Sequence, residues 1–360
     1  MQAVQVRQPP SGRPTAKDLC IANDVPIPQV SGPNDVQIRT QCTAVNRADT
    51  MQRRGLYPPP PGASDVLGLE VAGVVTEVGH GVERFKVGDS VMALLPGGGC
   101  AEYCVAPQEC CIPVPEGMPW VDAAAIPEVF ITAYQCLLFH GRLQAGQNVL
   151  LHAGASAVGL AAAQICRAVQ AQHVITTSSQ SKLETCLRHG ATHALAKDRT
   201  SPYAQAFAWD VQQIVGDRGV DIIVDPVFGT YMWENADVLA VDGTIVVLAM
   251  MGDHSDVASH GVPGTSTIVM GYTGATIDPP VSMPTLFKKR ATLKFSTLRS
   301  TSVEYKAKLV ADFWEFAEPL FKAGKLTPVV DTVLPWTDIC EAHEMLDQNR
   351  TAGKVVLVVK

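Results

Sequence analysis

The sequence is short of charge. Asp, Glu, Lys and Arg make up 18% of its 360 residues, below the roughly 25% of an average soluble domain. Acidic residues outnumber basic ones by 35 to 28, a formal charge of −7, and no run of Lys and Arg exceeds three residues. Broad binding to a phosphate backbone is thereby excluded, although a local basic patch is not. An unbroken apolar stretch of membrane-spanning length is also missing. The nearest, residues 149–169, contains His152, Ser156, Gln164 and Arg167, and its glycines are spaced for another purpose. The 29 Gly and 25 Pro follow no period, and no internal repeat is visible, which excludes collagen and solenoid arrays. The opening MQAVQVR reads as a short alternating strand, not as a signal peptide. The ten cysteines are therefore expected to be reduced thiols in a cytoplasmic protein. What is present is apolar: 47% of residues, enough for a substantial core, over a length that suggests two domains, one of them split.

Texture divides the chain. Up to about Val129 it is a series of short β-like runs punctuated by Gly and Pro: Val36 to Thr43, Val71 to Val78, Ser90 to Leu94 and Ala101 to Ala106. From Val149, apolar strands alternate with helical stretches. Strands are predicted at Val149 to His152, His173 to Thr177, Val220 to Asp225 and Thr244 to Met250, with helices from Val158 and through Lys182 and Leu187. Such a βαβ succession requires a parallel sheet covered by helices. The segment 251–284, rich in Gly, Ser, Thr and Pro, reads as a long excursion. A helix to about Lys322 and strands at Val329 to Leu334 and Lys354 to Val359 resemble the first third in texture, so the chain is expected to return and complete it.

The strongest chemical signal runs from Leu150 to Gly159, LLHAGASAVG: a strand, a turn of small residues and a helix start. Its form is G-x-S-x-x-G, a variant of the dinucleotide fingerprint. Gly154 is expected to permit the tight turn. Small Ser156 and Ala157, followed by Val158, let backbone amides approach a pyrophosphate, and Gly159 lets the helix pack on the strand. The end of the second strand reads TTSSQSK from Thr176, with no carboxylate before Glu184. An NAD site usually places an acid there. Ser178 and Lys182 suit a 2′-phosphate instead, with Lys197 as a second cation, so NADPH is the expected cofactor. Ser178 and Ser179 could equally cap the helix that holds Lys182, and the two roles are compatible.

Several further segments occur together: Asn46-Arg47-Ala48-Asp49, Met51-Gln52-Arg53, Tyr57, Pro59 to Ser64, Gly68-Leu69-Glu70, Val87-Gly88-Asp89, Ala93 to Gly99 and Ala123 to Glu128. In combination they resemble the medium-chain dehydrogenase/reductase superfamily over nearly the whole chain. The likeness is greatest to its zinc-free quinone oxidoreductases of the zeta-crystallin kind, and within them to the tumour-suppressor-induced type. It implies an α/β chain: a GroES-like β-rich catalytic domain at 1–129 and 303–360, and a doubly wound Rossmann domain at 130–302 that includes the excursion, with a cofactor cleft between them.

Zinc enzymes of this superfamily have a catalytic Cys in the first of these segments and a Gly-His-Glu motif in another. Here the corresponding residues are Asn46 and Leu69. Loss of two of three protein ligands leaves no workable catalytic zinc site. Cys100, Cys104, Cys110 and Cys111 lack the spacing of a structural zinc lobe, and His343-Glu344 lacks the second His of H-E-x-x-H. No metal is expected. Without a Lewis acid to stabilise an alkoxide, reduction of an already electrophilic acceptor becomes the natural chemistry. The resemblance thus implies NADPH-dependent reduction of a quinone, with the electron count open. An alkenal or enone reductase and a non-catalytic NADPH-binding protein are the alternatives.

The resemblance places Asn46 beside the nicotinamide as a catalytic and cofactor residue, and Tyr57 at the substrate-cleft edge as a hydrogen-bond donor or stacking platform. Thr132 lies near the nicotinamide and Glu128 faces substrate. Gly229 and Met250 are expected at strand ends, and Leu298 on the strand lining the nicotinamide pocket. Ala157 replaces a common glycine, adding a methyl near the pyrophosphate. A small-molecule partner, no nucleic acid, no membrane and pairing into a homodimer complete the expectations.

Overall fold

The computed structural model describes residues 1–197, 207–251 and 283–359. Most of the expected excursion, residues 252–282, lies outside the described residues. The chain divides into two compact units, Met1–Thr132 with Leu298–Lys360, and Ala133–Thr297.

The first unit is built on a seven-stranded sheet. Val330–Pro335, Lys354–Val358, Asp35–Val45, Glu70–Val78, Ser90–Leu94 and Cys111–Pro113 follow one another across it, and Tyr103–Pro107 also pairs with Asp35–Val45. All pairings are antiparallel except that of the two C-terminal strands. The returning chain therefore completes the sheet. Asp35–Val45 is central and mostly buried, and its buried polar residues Gln37, Thr40 and Thr43 interrupt the apolar ones. Val36, Ile38, Val71, Val75, Val91 and Phe85 pack one core of this unit. Another forms against the helix Ile339–Asp347, whose Ile339, Ala342 and Leu346 face Val355 and Leu357. His343 lies on that helix, fully buried, with Nδ1 3.1 Å from the Arg53 guanidinium, while Arg53 also pairs with Asp347 at 2.7 Å. Burial and the adjacent guanidinium push its imidazole down to about 3, so it is neutral and structural.

The second unit is a six-stranded, wholly parallel sheet. Its order is His193–Ala196, His173–Ser178, Asn148–Leu151, Val220–Asp225, Leu239–Val247, Thr292–Phe295. Numbered along the chain, this is the 3-2-1-4-5-6 order of a doubly wound dinucleotide fold, whose direction reverses between Asn148–Leu151 and Val220–Asp225. Three local expectations are corrected. Lys182 ends a 3₁₀ turn, Gln180–Lys182, and the α-helix begins only at Leu183. The fifth strand is Leu239–Val247, not Thr244 to Met250. It starts earlier because Asp242, at φ 63°, is absorbed as an irregularity within the strand, and Met250 lies three residues beyond its end. The last strand, Thr292–Phe295, stops before Leu298, which sits in a bend of the first unit. Among the described residues no helix is long and apolar enough to cross a membrane.

Candidate functional site

In the second unit the strand Asn148–Leu151 is fully buried and runs through His152 to Ser156 into the helix Ala157–Ala168. Ser156 is the N-cap, and its hydroxyl accepts from Gly159 N–H at 3.1 Å. The left-handed residue of the turn is Ala153, at φ 50°, not Gly154. Gly154 is required for closeness: a Cβ there would lie 2.5 Å from Thr176 Cβ on the neighbouring strand. One on Gly159 would lie 2.6 Å from Gly154 O. Both contacts are far inside van der Waals range.

The Ala157 and Val158 amides are the first two of the helix and have no carbonyl one turn back. Among the described residues neither makes a hydrogen bond, and both residues are half-exposed. Two unfilled donors at the positive end of a twelve-residue helix, on a turn of small residues, fit the pyrophosphate of a dinucleotide.

Beneath the turn lies a network that the sequence reading missed. His152 Nδ1 is 2.8 Å from Thr177 Oγ1, and Nε2 is 2.7 Å from Asn235 Oδ1. Asn235 Nδ2 donates to Asp225 Oδ2 at 2.8 Å, and Asp225 Oδ1 accepts the Val227 and Phe228 amides at 2.7 and 2.8 Å. Since the Asn235 amide nitrogen is spent on Asp225, its oxygen accepts from His152 Nε2–H, and Nδ1 accepts from Thr177. Burial lowers the His152 pKa and keeps the ring neutral. This chain of bonds ties the carboxyl ends of the two strands that flank the reversal point. Gly229, buried at φ 53°, begins the turn after Asp225, and Met250 packs half-buried against the same core. The sequence signal for the network is a histidine at the end of an otherwise apolar strand.

Ser178 ends the strand His173–Ser178 and Lys182 lies one 3₁₀ turn later, both half-exposed. Ser179 occupies the cap position without a side-chain cap bond. Lys197 departs from expectation. Its amide donates to Ser178 O at 2.8 Å, but its ammonium lies 3.2 Å from the buried Glu234 carboxylate and 5.3 Å from the centres of both the Phe207 and Tyr231 rings. Its charge is neutralised inside the unit by Glu234.

In the first unit Asn46 caps the helix Arg47–Arg53 and is buried. Its Nδ2 donates to Glu70 Oε1 at 2.9 Å, and its Oδ1 accepts from Lys354, which also pairs with Glu70. The second Glu70 oxygen accepts Glu128 N–H at 2.9 Å. Asp49 accepts the Asn46 and Gly68 amides at 2.7 and 2.9 Å, and burial raises its carboxyl to about 6. Burial and the neighbouring Glu70 carboxylate push half-exposed Glu128 further, to about 8. Leu69 is buried and apolar. Among the described residues no three His, Cys, Asp or Glu side chains are grouped to hold a metal ion. Cys104 and Cys110 are buried thiols, pushed up to about 12 and 11.

Tyr57 is held from one side. The Arg299 guanidinium lies 5.3 Å from its ring centre and donates to Tyr57 O at 3.1 Å, to Pro96 O at 2.7 Å and to Gln52 Oε1 at 2.7 Å. Lys306 in turn donates to Arg299 O at 2.7 Å. Burial raises the phenol pKa, so Tyr57 is a hydrogen-bond donor and a poor base. Thr132 and Leu298 are buried at the two points where the chain leaves and re-enters this unit. The sequence reading quoted Glu70 and Asp49 only as motif letters and Lys354 only as the start of a strand. A lysine opening the apolar strand KVVLV was the available signal.

Comparison with known proteins agrees with both units. Residues 32–116 match the alcohol dehydrogenase GroES-like domain, and residues 189–357 match a family described as zinc-binding dehydrogenase. The human synaptic vesicle membrane protein VAT-1 homolog is 31% identical over 331 residues, 92% of this chain and 80% of that protein. The quinone oxidoreductase of Lama guanicoe is 29% identical over all of this chain and 98% of its own length. A mycobacterial protein solved with NADPH superposes with a TM-score of 0.76 at 28% identity, covering 99% of each chain. Covering 80% or more of each of these relatives, with a doubly wound sheet in one unit and a GroES-like sheet in the other, the chain belongs to the medium-chain dehydrogenase/reductase superfamily of oxidoreductases, together with its quinone oxidoreductase and VAT-1-homologue members.

Proposed function

We propose that this oxidoreductase is a zinc-independent, NADPH-dependent quinone reductase. The observation that carries the reading is the Glu70–Asn46–Lys354 set: a neutral amide whose oxygen and nitrogen are both engaged, beside an internal cation, where the superfamily's alcohol dehydrogenases hold a catalytic metal. Such a set polarises no alcohol, so an acceptor that is already electrophilic suits it. When bound, the dihydronicotinamide supplies a hydride. The chain's part is to bind and orient. Ala157 and Val158 offer amides to the pyrophosphate, Ser178 and Lys182 receive the 2′-phosphate, and Asn46 and Thr132 stand at the nicotinamide end. Tyr57, braced by Arg299, gives an acceptor oxygen a hydrogen bond. The relatives named as quinone oxidoreductases support the acceptor class, and the neighbour solved with NADPH supports the cofactor.

The proposal extends to a cytoplasmic homodimer. Ten unpaired thiols suit a reducing compartment. Among the described residues, the strand Thr292–Phe295 pairs on one side only and exposes Leu293 and Phe295, an open edge that suits pairing with a second copy.

Steady-state turnover of ortho-quinones, para-quinones and enones with NADPH and NADH tests this reading. Quinones with NADPH are expected to give the highest kcat/KM, whereas a preference for NADH would remove the cofactor assignment. Lys182→Glu is expected to raise KM for NADPH about 10-fold or more, the loss of one charge-assisted contact, with little change for NADH. Equal loss for both nucleotides would count against a 2′-phosphate contact.

A further inference from the structure

The geometry points to Glu128 as the acid that delivers the proton in this reduction, an inference that rests on the quinone reductase reading of the same site. Three carboxyl groups cluster around Lys354, and two of them are committed. Glu70 is fully buried and its oxygens take Asn46 Nδ2, Lys354 Nζ and the Glu128 amide. Asp49 is equally buried, and each of its oxygens takes a backbone amide. The Glu128 backbone is pinned by Glu70, but among the described residues its carboxyl makes no hydrogen bond or ion pair, and the residue remains half-exposed. It is the member of the cluster able both to meet an acceptor and to exchange a proton with water.

The charges facing it come from every neighbouring segment. Glu70 and Asp49 oppose its ionisation, Lys354 and Arg299 favour it, and Tyr57 and Lys306 lie within electrostatic reach. Burial and Glu70 dominate, so the group holds its proton up to about pH 8. An acid with a pKa close to working pH is the most effective proton donor, and Tyr57, pushed above its ordinary range, is a weaker one.

The step balances with one nicotinamide dinucleotide as reductant. Hydride addition places two electrons and one hydrogen on the quinone, whose oxygen becomes negative. The Glu128 O–H bond breaks, a new O–H bond forms on that oxygen, and hydroquinone results. The Glu128 carboxylate left behind takes a proton from solvent. The sign of the pH dependence follows: turnover is full below about 8 and falls as pH rises through that value.

The test uses the full chain with Glu128→Gln, Glu128→Asp and Tyr57→Phe. Glu128→Gln is expected to lower kcat for a quinone about 100-fold, to abolish the fall near pH 8, and to leave the Kd of NADPH unchanged. Glu128→Asp recovers part of kcat, and Tyr57→Phe retains the pH limb. Independently of turnover, a ¹³C titration of the carboxyl resonance that disappears in Glu128→Gln should have its midpoint at about 8. A midpoint in the ordinary carboxylate range, or a Glu128→Gln variant with wild-type kcat and pH limb, overturns the assignment while leaving the quinone reductase reading intact. A wild-type chain that turns over no quinone overturns both.

Discussion

Replacement of Lys354 by Met is expected to cost about 3–5 kcal/mol of stability. Lys354 and Glu70 have side-chain exposures of 2% and 0%, so the pair is shielded from water. Removing one member leaves a buried carboxylate with only neutral partners, Asn46 Nδ2 and the Glu128 amide, and no compensating charge. The loss is read as a lower urea midpoint at unchanged slope. Adding Glu70→Gln removes the stranded charge, so the double variant should be more stable than Lys354→Met alone. A loss under about 1 kcal/mol would mean that the pair behaves like an exposed one. The same substitution frees the Asn46 oxygen, so kcat should fall even where the variant is folded.

Gly154→Val is expected to lower NADPH affinity by about 100-fold, the scale at which an ångström of misplacement disables a site. The new Cβ would lie 2.5 Å from Thr176 Cβ and 2.9 Å from its Cγ2, and Thr176 is fully buried on a central strand and has nowhere to withdraw. The turn must therefore shift outward, carrying the Ala157 and Val158 amides with it. Overpacking adds about 1–3 kcal/mol of destabilisation. Isothermal titration with NADPH, alongside circular dichroism to establish folding, separates the two effects. An unchanged Kd in a folded variant would show that the turn does not carry the pyrophosphate.

The parallel sheet was legible because strands covered on both faces are contiguous apolar runs. Val220–Asp225 was read to the residue, and Asn148–Leu151 to within one. The fifth strand starts before Thr244 because the parallel ladder accommodates Asp242-Gly243 as an irregularity. In the turn after Leu151 the physical reason differed from expectation: Ala153 takes the left-handed backbone and Gly154 supplies closeness. Charge assignments were the least legible. Lys197 looked free from local pattern because its partner, Glu234, lies 37 residues away. Lys354 and Asn46 are separated by 308 residues, a contact created only when the C-terminal strand joins the sheet. Periodicity reports which face is buried; which two charges meet there is decided by topology.

The most direct test of the central claim is a single-turnover experiment on chelator-treated protein loaded with NADPH and mixed rapidly with a quinone, followed by dihydronicotinamide absorbance. Hydride transfer without a metal predicts a decay whose rate depends on the acceptor and is unaffected by chelator. Absence of decay with every quinone and enone, or a decay restored only by added zinc, would contradict the account.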